Sequence, residues 1–238
     1  DWTVTNLPRE LTITLAWRDY LYDRLGQLEK RIRGSARQAK AYPSILLRQL
    51  ERDGAATACY DAANFFATTH SEKSSGAQSN LLTGTGTSLA QLEADVAAAI
   101  AALTSFKDDK GNPFSQDIPA SGEGERVYHV SCPPGLRFAF DKLNQGATIT
   151  AEGDNVLRGR FKVRTNQELT DTNDWYLYDL SGEDKPYIYQ WALQPTDLVF
   201  PADMLYWLQR DGEVDAISTA ECAVAPFQWR RAIKTTNA

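Results

Sequence analysis

Residues 17–33 read WRDYLYDRLGQLEKRIR, and their apolar positions recur with the period of a helix. Leucine and isoleucine stand at spacings of four, three and four residues, while charged side chains occupy most of the other positions. We therefore predict one long amphipathic helix that ends at Gly34 and buries a single stripe against the core. The stripe consists of Leu21, Leu25, Leu28 and Ile32.

Shorter patterns flank this helix. Residues 9–15 alternate between apolar and polar, which predicts a half-buried strand. Pro43 suits a first helical turn and Gly54 a helix end, so they bound a second predicted helix. Residues 59–68 indicate a strand by their aromatic and small side chains. Residues 71–88, dense in Ser, Gly, Thr and Asn, predict a loop that a protease would cut first.

The remaining patterns place helices in the middle of the chain and strands towards its end. Ser88 and Gln91 have the spacing of a capping box, and apolar residues at helical spacing follow as far as Leu103. The other predicted elements are a strand at 127–130, a helix opened by residues 133–134, and strands at 157–164, 175–180, 186–194, 204–209, 213–224 and 227–233. This order predicts an α+β fold.

Composition excludes several classes of protein. The 238 residues carry a formal net charge of -6, which argues against a dedicated nucleic-acid-binding protein with a large cationic face. Cys59, Cys132 and Cys222 are far apart, so neither a zinc site nor a disulfide framework is predicted. No apolar run reaches the length of a bilayer-spanning helix, and we expect no membrane partner.

The residues that carry out catalysis in most enzymes are scarce in this chain. His70, in the Ser-rich segment, and His129, in a strand pattern, are expected to be structural. The sequence GTGTS, from Gly84 to Ser88, precedes a helix as a phosphate-binding loop does, but it lacks the third glycine or the Gly-Lys-Ser/Thr of such motifs. We therefore predict no catalytic residue, no cofactor and no metal site.

A basic strand face is the most informative charge feature. Residues 157–164 alternate, so that Arg158, Arg160, Lys162 and Arg164 would share one face opposite an apolar one. Like charges side by side repel one another, which favours an acidic partner such as a neighbouring subunit or a nucleic-acid backbone. The alternative is a solvated face whose charges protect a sheet edge.

Several short runs stand in a particular order along the chain. They are CYD at 59–61 with FF at 65–66 and His70, SNLLTG at 79–84, KDDKGNP at 107–113, CPP at 132–134 and WYLYD at 175–179. This order resembles the major head (capsid) subunit of Mu-like bacteriophages and prophages. The likeness extends over residues 1–234, nearly the whole chain.

The resemblance implies the tailed-phage capsid fold of the Hong Kong 97 type, with a spine helix, a peripheral domain and an axial domain. Residues 17–33 would be the spine helix. Residues 1–15 would be a remnant of the extended loop or N-terminal arm strand, 16–70 the peripheral domain, 71–184 mainly the axial domain, and 185–238 strands that return to the peripheral domain.

The resemblance also implies a structural protein without enzymatic activity. It would self-assemble as hexamers and pentamers into an icosahedral head shell that encloses double-stranded DNA, form in the host bacterial cytoplasm and end in the virion. Scaffold, portal and decoration proteins would be its partners, and the DNA would be contacted non-specifically at most.

Three alternatives remain at this stage. An encapsulin-like or gene-transfer-particle shell would share the fold. A cytoplasmic enzyme would bind a phosphorylated ligand at Gly84 to Ser88. A carbohydrate-binding module is suggested only by the six Trp and ten Tyr.

Overall fold

The computed structural model describes residues 2–22, 26–114, 128–146, 155–194, 196, 199 and 201–237. The chain forms two compact units, the first made of Arg48–Ile188 with Pro226–Ala238 and the second of Trp2–Leu47 with Tyr189–Ala225. The elements are, in chain order, β1 (Leu7–Ala16), α1 (Trp17–Tyr22), α2 (Gln27–Asp53), β2 (Leu81–Thr83), α3 (Leu89–Ser105), β3 (Tyr128–Cys132), α4 (Arg137–Gln145), β4 (Phe161–Thr165), β5 (Trp175–Asp179), β6 (Tyr187–Leu193), α5 (Met204–Asp211), β7 (Glu213–Pro226) and β8 (Ala232–Thr236).

The first unit is built on a five-stranded mixed sheet with the strand order β2-β8-β5-β3-β4. Strand β8 pairs in parallel with β2 and antiparallel with β5, while β3 pairs in parallel with β4. The C-terminal strand β8 therefore lies inside this sheet, between β2 and β5. The assignment of ranges to a peripheral and an axial domain stays a prediction.

Helices α3 and α4 cover one face of this sheet. In α3, Leu92, Val96 and Leu103 are buried, as predicted from their helical spacing. In α4, which follows a 3₁₀ turn at Pro134–Leu136, Phe140 and Leu143 are buried. These predictions are confirmed because each depends on a local apolar period that packing preserves.

Aromatic side chains line the opposite face. Tyr176 and Tyr178 alternate with the inward-facing Leu177 along β5, and their rings stack with centroids 6.5 Å apart. The ring centroids of Phe66 and Tyr176 lie 5.3 Å apart, and those of Phe65 and Phe66 lie 4.8 Å apart. The segment that supplies the phenylalanines forms turns and an isolated bridge, not the strand predicted at 59–68.

The second unit contains a three-stranded sheet with the order β1-β7-β6. The predicted alternation in β1 is confirmed, because Ile13 and Leu15 are buried together with Val214 and Ala216 of the antiparallel partner β7. Ile32 of α2 and Met204 of α5 pack against this cluster. The outward positions of β1 and β7 hold mostly threonine and acidic residues, together with the exposed Ile217 and a few alanines and prolines.

The predicted single helix at 17–33 is wrong. Helix α1 ends at Tyr22, and Gly26, with φ of +62°, has a backbone conformation that a right-handed helix does not contain. Leu21 in α1 is 50% exposed and so belongs to no buried stripe with Ile32 of α2. Leu25 and the side chain of Leu28 lie outside the described residues.

Helix α2 also continues past both predicted boundaries. It contains Gly34, predicted as a helix end, and Pro43, predicted as a helix start. Proline removes one backbone donor and crowds the preceding turn, but a helix of 27 residues has enough other turns to continue on both sides of it.

Two further elements differ from the predictions. Residues 204–209, predicted as a strand, form α5, which ends where Gly212 adopts φ of +76°. The predicted loop at 71–88 contains β2 and the fully buried Asn80. Short apolar runs fit either periodicity, and the contact that selects between them comes from distant residues.

We predict that Leu177→Ala lowers the free energy of unfolding by about 2–5 kcal/mol, because it opens a cavity at the middle strand of the five-stranded sheet. Leu205→Ala, on the exposed side of α5, is the matched control and should change stability little. Urea denaturation followed by circular dichroism measures both, and equal losses would contradict the core described above.

Candidate interaction surface

The described residues contain no group of three or more His, Cys, Asp or Glu side chains arranged to hold a metal ion. Cys59, Cys132 and Cys222 are buried free thiols. Burial raises the pKa of Cys59 and of Cys132 to about 12, which leaves both thiols protonated and unreactive at neutral pH.

In the loop from Gly84 to Ser88, backbone N–H groups of Thr85 and Ser88 donate to side chains of the following helix, so they are not available to a ligand. The backbone N–H of Thr85 donates to the carboxylate of Asp95 at 2.9 Å, and so does its hydroxyl at the same distance. The backbone N–H of Ser88 donates to Gln91 Oε1 at 3.2 Å, as the capping-box spacing predicted. A phosphate would meet the negative charge of Asp95, which argues against the phosphorylated-ligand alternative.

Glu51, at the C-terminal end of α2, is a buried acid that the sequence patterns did not reveal. Its carboxylate accepts hydrogen bonds from Tyr178 Oη at 2.7 Å, Ser131 Oγ at 3.0 Å and Asn166 Nδ2 at 2.6 Å. Burial raises the pKa of Glu51, and the three hydrogen bonds and Arg164 oppose that effect. Its partners lie 80 to 127 residues away along the chain, so no local pattern could indicate them.

A second buried polar cluster surrounds His70. The ring is fully buried, with Nδ1 at 2.6 Å from Asp61 Oδ2 and Nε2 at 3.1 Å from Asn80 Oδ1. Asn80 is oriented by the backbone, since its Oδ1 accepts from the Ala67 N–H and its Nδ2 donates to the Phe65 carbonyl. The imidazole also stacks on the Trp229 ring at 4.1 Å. His70 therefore ties the loop at 59–80 to the C-terminal segment, as the structural interpretation anticipated.

The basic face predicted at 158–164 is split between a turn and a strand. Lys162 and Arg164 lie on β4, two residues apart and therefore on one face of the sheet. Arg158 and Arg160 lie in the turn that precedes β4, so the prediction of one continuous strand from residue 157 is wrong. All four side chains are exposed.

Strand β4 is an edge of the five-stranded sheet, because only β3 pairs with it in the described part of the chain. Arg137 Nη1 covers part of this edge by donating to the Val163 carbonyl at 2.7 Å. An arginine on the edge backbone and two cations beside it discourage the addition of a further strand. Lys162 and Arg164 form a charged rim along this edge, and the side chains of a partner can contact it.

His129 on β3 stands beside these cations in the sheet. It pairs in register with Lys162, and its side chain is half-buried. Burial, followed by the charges of Lys162 and Arg164, lowers the pKa of His129. The ring is therefore neutral at pH 7 and adds no charge to the rim.

The described helices include none that is long and apolar enough to cross a membrane.

Sequence and structure comparisons agree on one kind of protein. Residues 1–93 match the family described as Mu-like prophage major head subunit gpT. No curated protein sequence matches the chain.

Among solved structures, the capsid structure of the cyanophage P-SCSP1u matches with a TM-score of 0.55 and 10% identity, over 99% of this chain and 73% of that one. The capsid of bacteriophage JBD30 decorated with minor capsid protein trimers matches with a TM-score of 0.54 and 19% identity, over 70% of this chain and 75% of that one. A protein of Mycobacterium phage Che8 matches with a TM-score of 0.54 and 11% identity, over 97% of this chain and 70% of that one. These likenesses establish the fold, which is that of phage capsid proteins.

We predict that Glu51→Gln changes how stability depends on pH. A carboxyl whose pKa is raised in the folded state binds its proton more tightly there than in the unfolded chain, where the pKa is near 4.5. The wild type should therefore lose stability relative to Glu51→Gln as the pH rises above about 4.5 towards neutrality. Urea denaturation of both proteins between pH 4 and pH 8, about the range in which a buried carboxyl titrates, measures the difference.

Glu51→Ala is the companion variant, since it leaves three donors without an acceptor and should cost about 2–4 kcal/mol at each pH. A constant difference between wild type and Glu51→Gln across the pH range would contradict the raised pKa.

We predict that Asp61→Ala lowers the free energy of unfolding by about 2–4 kcal/mol, because the buried Nδ1 of His70 loses the carboxylate that lies 2.6 Å from it. Asp53→Ala, which removes an exposed carboxylate that pairs with Arg52, is the matched control. Thermal and urea denaturation compare the two, and an unchanged stability of Asp61→Ala would refute the structural role of the pair.

Proposed function

We propose that this chain, a structural capsid protein of the Mu-like major head subunit family, assembles with copies of itself into the closed icosahedral shell of a phage head. The observation that carries the proposal is the agreement between the family match at residues 1–93 and the capsid fold over nearly the whole chain. Such a protein acts through interfaces that are weak singly and strong when symmetry repeats them. We assign it no catalytic reaction.

The two units would divide this work. The first unit, with its mixed sheet between α3, α4 and an aromatic layer, has the α/β composition expected for an axial domain. The second, with the long N-terminal part of α2 and a three-stranded sheet, has the composition expected for a spine helix and a peripheral domain. Hexamers and pentamers would then form around the first unit.

The charged rim at β4 would be one of the contacts between subunits. Lys162 and Arg164 are exposed on an edge strand, and Arg158 and Arg160 are exposed just before it. Adjacent cations repel one another, so an acidic surface on a neighbouring copy would relieve that repulsion on binding. The chain as a whole carries a charge of -6, so such acidic surfaces are available on every copy.

Double-stranded DNA would be the cargo, touched non-specifically at most, and scaffold, portal and decoration proteins would be further partners. An encapsulin-like or gene-transfer-particle shell would share the fold and differ in cargo. Extraction of nucleic acid from purified particles distinguishes a DNA-filled head from a compartment filled with enzyme.

We predict that the purified chain forms capsomers or shells, and that Lys162→Glu with Arg164→Glu raises the protein concentration needed for half-assembly about tenfold, because the rim then repels its acidic partner. Size-exclusion chromatography with light scattering and negative-stain electron microscopy measure the assembly. Circular dichroism checks that the exposed substitutions leave the fold intact.

The matched control is Lys30→Glu with Lys40→Glu, which changes the net charge equally at exposed positions of α2. Normal shells from the rim variant would contradict the proposed contact. Equal loss in the control would show that net charge alone is responsible.

A further inference from the structure

The second unit presents a face whose charge is opposite to that of the rim. Side chains at alternate positions of β7 point outward, and among them are Glu213 and Asp215, both exposed, and the partly exposed Glu221. In β1 the exposed Glu10 lies on the same face, because it pairs with Thr219, two residues from Glu221. We call these four residues the acidic sheet face.

No opposite charge neutralises the acidic sheet face within its own two strands. The outward positions of β1 and β7, both described throughout, hold threonine, isoleucine, alanine, proline and these acids, but no lysine or arginine. The one cation on β1, Arg9, lies on the other face, where its guanidinium stands 5.5 Å from the centroid of the Tyr42 ring of α2. The carboxylates therefore repel one another within two pairs, Glu213 with Asp215 and Glu10 with Glu221, and these pairs lie about 20 Å apart along β7.

We infer that the acidic sheet face of one copy is the docking surface for the β4 rim of a second copy. This inference rests on the proposed function, which supplies the second copy, and it identifies the acidic partner that the rim would contact. An acidic cluster alone would not indicate a ligand. Here a cationic pair, Lys162 and Arg164, stands on the same chain, and the strand that pairs with it, β3, carries no acidic residue. Within its own chain, Arg164 interacts with the buried Glu51.

The spacing of the two charge pairs supports this match. Lys162 and Arg164 are two residues apart on an extended strand, as are Glu213 and Asp215. Two residues of extended chain span about 6.6 Å in both cases, so each cation can face one carboxylate without distortion of either strand. Arg137 hinders backbone pairing at the β4 edge, because it donates to the Val163 carbonyl. A contact between side chains of the two surfaces does not need such pairing.

The resulting contact is heterologous, because it joins two different surfaces of identical chains. A heterologous contact generates a ring when its rotation closes and an open filament when it does not, and a capsomer requires the first. Exposed ion pairs contribute little individually, so the contact would be weak and reversible. It would also weaken with salt, since the screening length falls from about 10 Å at 0.1 M to about 3 Å at 1 M.

A charge swap tests the pairing directly. Glu213→Lys with Asp215→Lys should raise the half-assembly concentration about tenfold, as Lys162→Glu with Arg164→Glu does. An equimolar mixture of the two variants should form hexameric rings, in which they alternate and each supplies the charge that the other has lost. Five-membered rings cannot alternate, so this mixture is not expected to form complete pentamers. The chain with all four substitutions should recover most of the wild-type assembly.

Glu183→Lys with Asp184→Lys is the matched control, since it reverses two exposed acids in a loop of the first unit. Sedimentation velocity at low and high salt measures each sample, and circular dichroism confirms that all variants are folded. The control should assemble as the wild type does.

The possible failures are distinguishable. A wild type that stays monomeric at every concentration would refute the proposed function itself. A wild type that assembles, with variants whose mixture and four-substitution form do not recover, would overturn only the pairing. Normal assembly of the rim variant with loss of double-stranded DNA binding would assign the rim to DNA and would likewise overturn it.

Discussion

The buried carboxylate of Glu51 is the constraint around which the first unit is arranged. A charge removed from water is tolerated only where donors replace the lost hydration, and here Tyr178, Ser131 and Asn166 supply them. These donors come from β5, from β3 and from the residue after β4, so their convergence requires these three neighbouring strands to be paired. The end of α2 is thereby bound to three separate segments, and apolar packing alone would not select that register.

The two sheets carry opposite charges: cations lie at the edge of the five-stranded sheet, and carboxylates lie on the outward face of the three-stranded sheet. The edge of the five-stranded sheet carries Lys162 and Arg164, which prevent uncontrolled strand addition. The outward face of the other sheet carries Glu213 and Asp215, which keep it solvated in a free subunit. The docking that we infer between these two surfaces would suit a shell subunit, because like charges delay aggregation while opposite charges permit directed association.

Predictions that depend on residues close together in the chain agree with the structure, while those that depend on distant contacts or on one backbone conformation do not. Helix α3 was predicted correctly because a capping residue and an apolar period lie within one segment. Residues 204–209 fit a strand or a helix by periodicity, and they form a helix whose Met204 packs against the β1–β7 cluster. The helix at 17–33 was predicted through Gly26, whose left-handed conformation no apolar period can indicate.

The sequence by itself determined the mixed α+β class, the alternation of β1, the presence of strands at β5 and β7, and the identity of the basic residues, because these depend on neighbours in the chain. Tertiary structure alone decided that β8 lies between β2 and β5, that Glu51 and His70 are buried, and that β4 is an edge. It also brought carboxylates from both ends of the chain, Glu10 and Glu213 among them, onto one face. Such pairings join residues more than a hundred positions apart, and periodicity within a segment contains no information about them.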